Sequence, residues 1–493
     1  MNSSKYRLAV GFILLVTSLP ALGAVKFIPL MSFDETNGTF PHCNLVRRED
    51  GDFYGTTSGA GSAVYAQSVF KIGPQGKFTT IASFSGTNGG VPWDGLSLGN
   101  DGNFYGVSKA GGISNFGTVF KVSSGGKLTI MAFFEGTNGA GPVALVNGSN
   151  GDFYGTTESG GDALYMGDGT IFKMSPEGNL TTLFLFDGTN GSGPSSLCLG
   201  RDGFLYGATS GGGANNSGTV FEIINGVFRT LYEFDGTNAA QPQSVIQASD
   251  GNLYGTTYYG GVYYNGIVFK LTTNGVFSIL HSFSQMTSFD ENADGANPVG
   301  KLMEGRDGWI YGGTAYGGTN LFGGGYYGGI GTLFKISTNG DFITLCSFGM
   351  HTNFYGTRSF PNGLVEGKNG NFFGTTYFGG LYDVNNGGLG TIFKLITIRP
   401  IIAVTKPHQH ALQSNPALTI GGKTKAKVET PITHVIYQLN AGNWAEATSA
   451  DNWTNWAANV VLVPGTNVFR VYAVDQNGDA SRTNILKLRL RQQ

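Results

Sequence analysis

The chain has 493 residues, 81 of them glycine, with 13% charged and 13% aromatic residues. Glycine is more than twice its usual share of about 7% and charge about half its usual quarter, while the aromatic content excludes a disordered low-complexity polymer. The formal charge of −2 divides unevenly, at about +5 from Arg399 onward and about −7 before it; neither part carries the concentrated basic field that nucleic acid requires.

Residues 1–24 read as a secretory signal peptide. Lys5 and Arg7 supply the positive start, Leu8 to Leu19 is apolar, and Ala21-Leu22-Gly23 places small residues at the cleavage position. The apolar run is short for a bilayer, and no other stretch nears about 18 consecutive apolar residues. The expectation is a secreted chain, extracellular or at the cell surface, with no membrane span after processing.

From residue 25 to 396 one unit recurs. Gly51-Asp52-Phe53-Tyr54-Gly55-Thr56-Thr57 returns around the glycines 106, 155, 207, 255, 312 and 374, at spacings of 48 to 62 residues. Each copy is followed by an apolar-Phe-Lys triplet, as in Val69-Phe70-Lys71 and Ile392-Phe393-Lys394, with Val220-Phe221-Glu222 the variant. A third motif, an apolar run closing on phenylalanine, ends at Phe33, Phe84, Phe134, Phe186, Phe234, Phe283 and Phe348. Each unit therefore reads as four short strands. Asp-Gly and Asn-Gly pairs such as Asp101-Gly102, Asp250-Gly251 and Asn225-Gly226 sit between them and accept the positive φ of tight hairpins. Four-stranded units of about 50 residues are propeller blades. The phase is informative: the processed chain opens on a last-type strand (Phe27 to Phe33), and its final unit stops after the third type (Thr391 to Leu395). The expected fold is an all-β, seven-bladed β-propeller closed by the N-terminal strand, since closure removes free sheet edges.

Three cysteines, Cys43, Cys198 and Cys346, lie far apart, and their odd number argues against a disulfide framework.

Asn252-Leu253-Tyr254-Gly255-Thr256-Thr257, then Gly260-Gly261, then Val268-Phe269-Lys270, resembles the GloVer tandem repeat of secreted bacterial proteins, over residues 26 to 395. The resemblance implies export and repetition, and it implies no reaction. Members often end in a sorting or anchoring segment, whereas this sequence ends Arg489-Leu490-Arg491-Gln492-Gln493.

Residues 397–493 break the repeat. Thr433 to Leu439, Ala458 to Val463, Asn467 to Val474 and Asn484 to Leu490 read as strands of a sandwich of the ~100-residue immunoglobulin-like class. Asn443-Trp444, Trp453, Trp456 and Val471-Tyr472-Ala473-Val474-Asp475 look like bacterial immunoglobulin-like modules, which are mostly spacers.

Hairpins gather on one propeller face, so the longer connections, between second and third strands and between blades, gather on the other. There the late blades carry Tyr258, Tyr259, Tyr263 and Tyr264, then Tyr316, Phe322, Tyr326 and Tyr327, then Tyr377, Phe378 and Tyr382. Such rings suit sugar faces or protein hot spots, or pack over neighbouring loops. Asp290, Asn292 and Asp294 precede Gly295 at the spacing of half a calcium loop, so Ca2+ is a candidate ligand, although the twelfth position is Lys301 in place of glutamate. No nucleophile elbow or phosphate loop is present. The expected protein is a monomeric, non-enzymatic module that recognises an extracellular glycan or protein. The alternatives are a secreted polysaccharide or lactone lyase and a structural envelope protein.

Overall fold

The computed structural model describes residues 25–59, 66–162, 167–287, 291–319, 330–348, 360–380, 388–397, 400–426, 431–476, 480–481 and 483–491. The signal peptide expected at 1–24 lies outside them. Among the described residues there is no α-helix, and no helix is long and apolar enough to cross a membrane.

Each motif glycine lies in the second strand of a four-stranded antiparallel unit and each triplet phenylalanine in the third; the last two units are joined into one eight-stranded sheet by a parallel pair, Lys301 with Gly363. The sheets follow in chain order over residues 46–83, 90–133, 140–185, 192–233, 239–282, 292–347 and 361–397, and are called first to seventh below. The motif glycine exists because the triplet phenylalanine occupies its side-chain space. A Cβ on Gly55 would lie 2.6 Å from Phe70 Cζ, and one on Gly374 would lie 2.6 Å from Phe393 Cζ. The hairpin aspartates have an equally specific role. Asp101 accepts hydrogen bonds from Tyr105 (3.0 Å) and Lys121 (2.7 Å), and Asp250 accepts from Tyr254 (2.8 Å) and Lys270 (3.3 Å). Burial raises the Asp101 pKa, but Lys121, Asn103 and Tyr105 together hold it well below the ordinary carboxylate range.

The seventh sheet contributes only three strands of its own. Its outer edge, Thr391–Thr397, pairs antiparallel with the N-terminal strand Val25–Ser32, with Phe27 opposite Leu395. Consecutive sheets share apolar cores, and the seventh shares one with the first, in which Phe53 packs on Phe373 with centroids 4.1 Å apart. The same stacking joins Tyr54 to Phe104 (4.2 Å) and Tyr105 to Phe153 (4.1 Å). Residues 25–397 thus form a closed, propeller-like ring.

A proline lies within or just ahead of every first strand: Pro41, Pro92, Pro142, Pro194, Pro242, Pro298 and Pro361. The residue before it has positive φ each time, including Phe40 (54°), Val91 (53°), Gln241 (55°), Asn297 (52°) and Phe360 (41°). That conformation costs a non-glycine residue roughly 1–2 kcal/mol. The cost is offset because the same residue's N–H reaches back to the preceding sheet. Val91 N donates to Gln67 Oε1 (2.8 Å) and Asn297 N to Asn265 O (2.7 Å), while Phe40 N donates to Leu389 O (2.7 Å) and joins the last sheet to the first.

All three cysteines are free, and burial drives the thiol pKa of Cys43 and of Cys198 up to about 12.

Beyond residue 400 the strands form two sheets over a core of their own. Ile401–Lys406, Ala417–Lys425 and Asn455–Val461 make one sheet. Leu412–Gln413, Asn484–Leu490, Gly465–Asp475, Ile432–Leu439 and Ala445–Glu446 make the other. Ile420, Val435, Trp456, Phe469 and Leu488 fill the space between them. The first two strands of the smaller sheet were not expected from the sequence, because Ala417–Lys425 alternates around the weak β-formers Gly421 and Gly422.

Candidate functional site

A funnel of about 700 Å³ opens where the first strands begin and the second strands end, on the face of the longer connections. Every sheet contributes to its wall. The first strands and their lead-in supply His42 and Asn44, Trp93 and Asp94, Val143, Ser195, Gln243, Lys301 and Asn362. The ends of the second strands, and the residues just after them, supply Lys109, Glu158, Ser210, Tyr258, Tyr377 and Phe378.

Sequence spacing explains why some sheets send functional groups inward. From the opening proline to the leucine or valine that anchors the first strand, the third, fourth, fifth and seventh sheets read Pro-x-x-Leu or Val, as in Pro142-Val143-Ala144-Leu145. The first, second and sixth carry one residue more: Pro41-His42-Cys43-Asn44-Leu45, Pro92-Trp93-Asp94-Gly95-Leu96 and Pro298-Val299-Gly300-Lys301-Leu302. The pairing shows the effect. In the third sheet the register shifts between Pro142 and Ala144, which sit opposite Thr157 and Thr156. In the second sheet Trp93 pairs with Val107 and the next pair is Ser97 with Tyr105; in the sixth, Val299 pairs with Gly313 and then Met303 with Tyr311. Such enlarged bulges re-aim side chains.

The side chains so re-aimed meet across the ring. Lys301 Nζ donates to Asp94 Oδ2 at 2.6 Å, from the sixth sheet to the second, with the Asp94 side chain only 10% exposed. Lys301 also lines a smaller cavity of about 240 Å³ with Ser97, Asn147, Ser196 and Ser244, so its side chain borders both cavities. Beside it, Trp93 stacks on His42 at 3.6 Å, and Lys109 Nζ lies 3.9 Å from the Trp93 centroid. Two groups so close cannot share one ring face, so they occupy opposite faces. Lys109 also pairs with Glu158. Burial, and then the nearby Lys109, push the His42 imidazole down to about 4, so it is neutral at physiological pH.

The aromatic residues expected to contact ligand divide three ways. Tyr258, Tyr377 and Phe378 line the funnel. Tyr316 is half-buried and meets Phe360 edge-on at 5.9 Å. Tyr259 stacks on Tyr264 (5.2 Å), while Tyr263 and Tyr264 are 49% and 55% exposed, outside the funnel. Phe322, Tyr326, Tyr327 and Tyr382 lie outside the described residues.

Two of the three side chains named for calcium are held by hydrogen bonds within the protein. The Asn292 amide is closed on protein: Oδ1 accepts from Gly295 N (2.9 Å) and Gly318 N (3.2 Å), and Nδ2 donates to Ser284 O (2.9 Å) and Gly295 O (2.8 Å). Asp294 accepts from His281 Nε2 (2.9 Å), Ser284 N (3.0 Å) and Ser284 Oγ. Both act as turn scaffolding, and Asp290 lies outside the described residues, among which no group of three or more His, Cys, Asp or Glu could hold a metal.

Asp294 provides a pH test. Burial raises its pKa, but the hydrogen bonds from His281 and Ser284 prevail and hold it below the ordinary value. A carboxylate depressed in the folded state stabilises the fold above its unfolded pKa of about 4, and that contribution is lost as pH falls through the folded value. In urea titrations Asp294→Asn should therefore be less stable than wild type at pH 7, with the gap narrowing as pH falls through the carboxylate range and below it. A gap constant with pH would contradict this assignment.

Residues 92–320 match the Gloeobacter/Verrucomicrobia repeat. The matched repeat takes in the second to fifth sheets and part of the sixth, and with them Trp93, Asp94, Lys109 and Lys301. Among solved structures the chain is similar to a fibronectin(III)-like module of CbhA from Clostridium thermocellum, at 16% identity over 19% of this chain and 100% of that one (TM-score 0.16). It is also similar to the subtype N11 neuraminidase-like protein of A/flat-faced bat/Peru (H18N11), at 12% identity over 76% of this chain and 94% of that one (TM-score 0.38). A third similarity is to a PL25 ulvan lyase bound to a GlcA-Rha3S saccharide, at 8% identity over 94% and 95% of the two chains (TM-score 0.32). Two other matched chains are covered over 20% of their own length. No curated protein sequence matches the chain.

Proposed function

We propose that this protein is a secreted, seven-bladed β-propeller with a C-terminal immunoglobulin-like spacer, and that its axial funnel binds a saccharide outside the cell. The funnel carries the reading. Its volume of about 700 Å³ falls within the about 300–1,000 Å³ of small-molecule sites, and its concavity does not suit a flat protein surface. Its wall mixes the rings of Tyr258, Tyr377 and Phe378 with the amides of Asn44, Gln243 and Asn362 and the hydroxyls of Ser195 and Ser210. Aromatic faces stack on the C–H surface of a sugar while amides and hydroxyls exchange hydrogen bonds with its hydroxyl groups.

A glycan array followed by calorimetry tests this. Truncating an aromatic anchor costs about 2 kcal/mol, or roughly thirty-fold in Kd. Tyr258→Ala should show that loss with an unchanged thermal midpoint, and Tyr263→Ala, out on the rim, should bind as wild type does. Equal loss in both variants, or loss in neither, would move the site away from the funnel.

A further inference from the structure

Resting on the saccharide reading, we infer that Asp94 and Lys301 form a charge filter at the funnel floor, which admits an uncharged, hydroxyl-rich sugar ring and rejects one bearing a carboxylate. Four observations converge on this pair. It is built by the two enlarged bulges, from strands 207 residues apart in sequence. Asp94 itself is held at the costly φ of 65°, and Gly300, next to Lys301, is at φ 73° where a Cβ would lie 2.5 Å from Pro361 O, so only glycine fits there. Its Lys301 borders both cavities. The charges of the described lining are also matched, Asp94 to Lys301 and Glu158 to Lys109.

The filter follows from desolvation. An incoming carboxylate would either draw Lys301 away from Asp94, which leaves an uncompensated buried charge, or share the one ammonium with Asp94, which sets two carboxylates side by side with a single cation between them; both are unfavourable. A hydroxyl displaces nothing. Lys301 spends one of its three ammonium protons on Asp94 and can donate another, and a carboxylate offers more lone pairs than the one Lys301 takes. A sugar hydroxyl can accept from one partner and donate to the other, so the intact pair reads a vicinal diol as a unit.

The test uses the full chain, Asp94→Asn and Lys301→Met, each checked for an unchanged thermal midpoint. Ligands are neutral gluco- and manno-oligosaccharides, their uronate counterparts and sodium acetate, followed by calorimetry and tryptophan fluorescence, since Trp93 adjoins the pair. Wild type should bind neutral oligomers at least ten-fold more tightly than uronates and show no acetate response. Asp94→Asn, which frees Lys301, should gain at least ten-fold for uronates and acquire saturable acetate binding; Lys301→Met should not. Wild-type preference for uronates, or no gain in Asp94→Asn, would overturn the filter. If wild type binds no oligosaccharide, the saccharide reading fails, and the acetate comparison between wild type and Asp94→Asn still decides whether the pair excludes anions.

Discussion

A chain that begins at Asp34, lacking Val25–Ser32 and Phe33, should lose cooperative unfolding or aggregate at concentrations where the full chain is monodisperse. Removing that strand strips the seventh sheet of its outermost member and bares the Thr391–Thr397 edge, a row of unpaired N–H and C=O groups that templates association. It also removes Phe27, which stacks on Phe393 at 5.2 Å and meets Phe348 edge-on at 5.9 Å, and the fully buried Phe33. Truncating one buried phenylalanine costs about 3–5 kcal/mol, so losing Phe33, the partly buried Phe27 and a strand of backbone pairing together should exceed the effect of any single substitution. Adding a peptide of residues 25–33 in trans should restore a monomeric, cooperatively melting protein. A truncated chain that melts like the full one, without the peptide, would show that the N-terminal strand does not close the ring.

The second large effect is expected at a motif glycine. A Cβ on Gly207 would lie 2.6 Å from the carbonyl oxygen of Ser196 and closer still to the Phe221 ring. Gly207→Ala should destabilise on the order of 3 kcal/mol, the upper part of the range for overpacking, because a backbone carbonyl inside a sheet cannot step aside. Adding Phe221→Leu should relieve the clash with the ring but not with the carbonyl, and so restore part of the thermal midpoint. Gly203→Ala is the control: its φ of 84° also strains alanine, but no atom lies within 4 Å, so its cost should be about 1 kcal/mol. Equal costs at 203 and 207 would mean that conformation, and not space, demands the motif glycine.

Repetition made the sheets legible, because each structural need appears in several copies. The Tyr-Gly and apolar-Phe-Lys motifs encode one packing event, the phenylalanine ring filling the glycine's empty side-chain space, and an Asp-Gly hairpin marks its tyrosine partner. The offset of Phe27 to Phe33 was equally readable, since an unpaired last-type strand at one end and a missing one at the other can satisfy each other. The region beyond residue 400 has no internal copies, and four of its eight strands (Ile401–Lys406, Leu412–Gln413, Ala417–Lys425 and Ala445–Glu446) have no counterpart among the expected ones.

The site was harder to read because aromatic composition does not say which ring turns toward the axis. Tyr258 and Tyr259 are adjacent and their rings meet edge-on at 4.8 Å, yet only Tyr258 lines the funnel. His42, Trp93, Asp94, Lys109 and Lys301 were overlooked, although the longer Pro-x-x-x-Leu spacing of three copies was in plain view. A one-residue insertion is the cue that could have found them, since it must bulge a strand whose neighbours are fixed. Asn292 and Asp294 are ambiguous for a related reason: oxygen-bearing side chains ahead of a glycine serve a tight turn as readily as a cation.

The same inserted residues sit where the chain can change length without disturbing the outer three strands of any sheet. On the saccharide-binding reading proposed above, recognition in such a ring is separable from its assembly, and a new preference needs only a new side chain, or one codon gained or lost, between proline and leucine. Moving the Trp93-Asp94-Gly95 triplet into the corresponding stretch of the fourth sheet would rotate the binding apparatus about the axis and leave the scaffold intact.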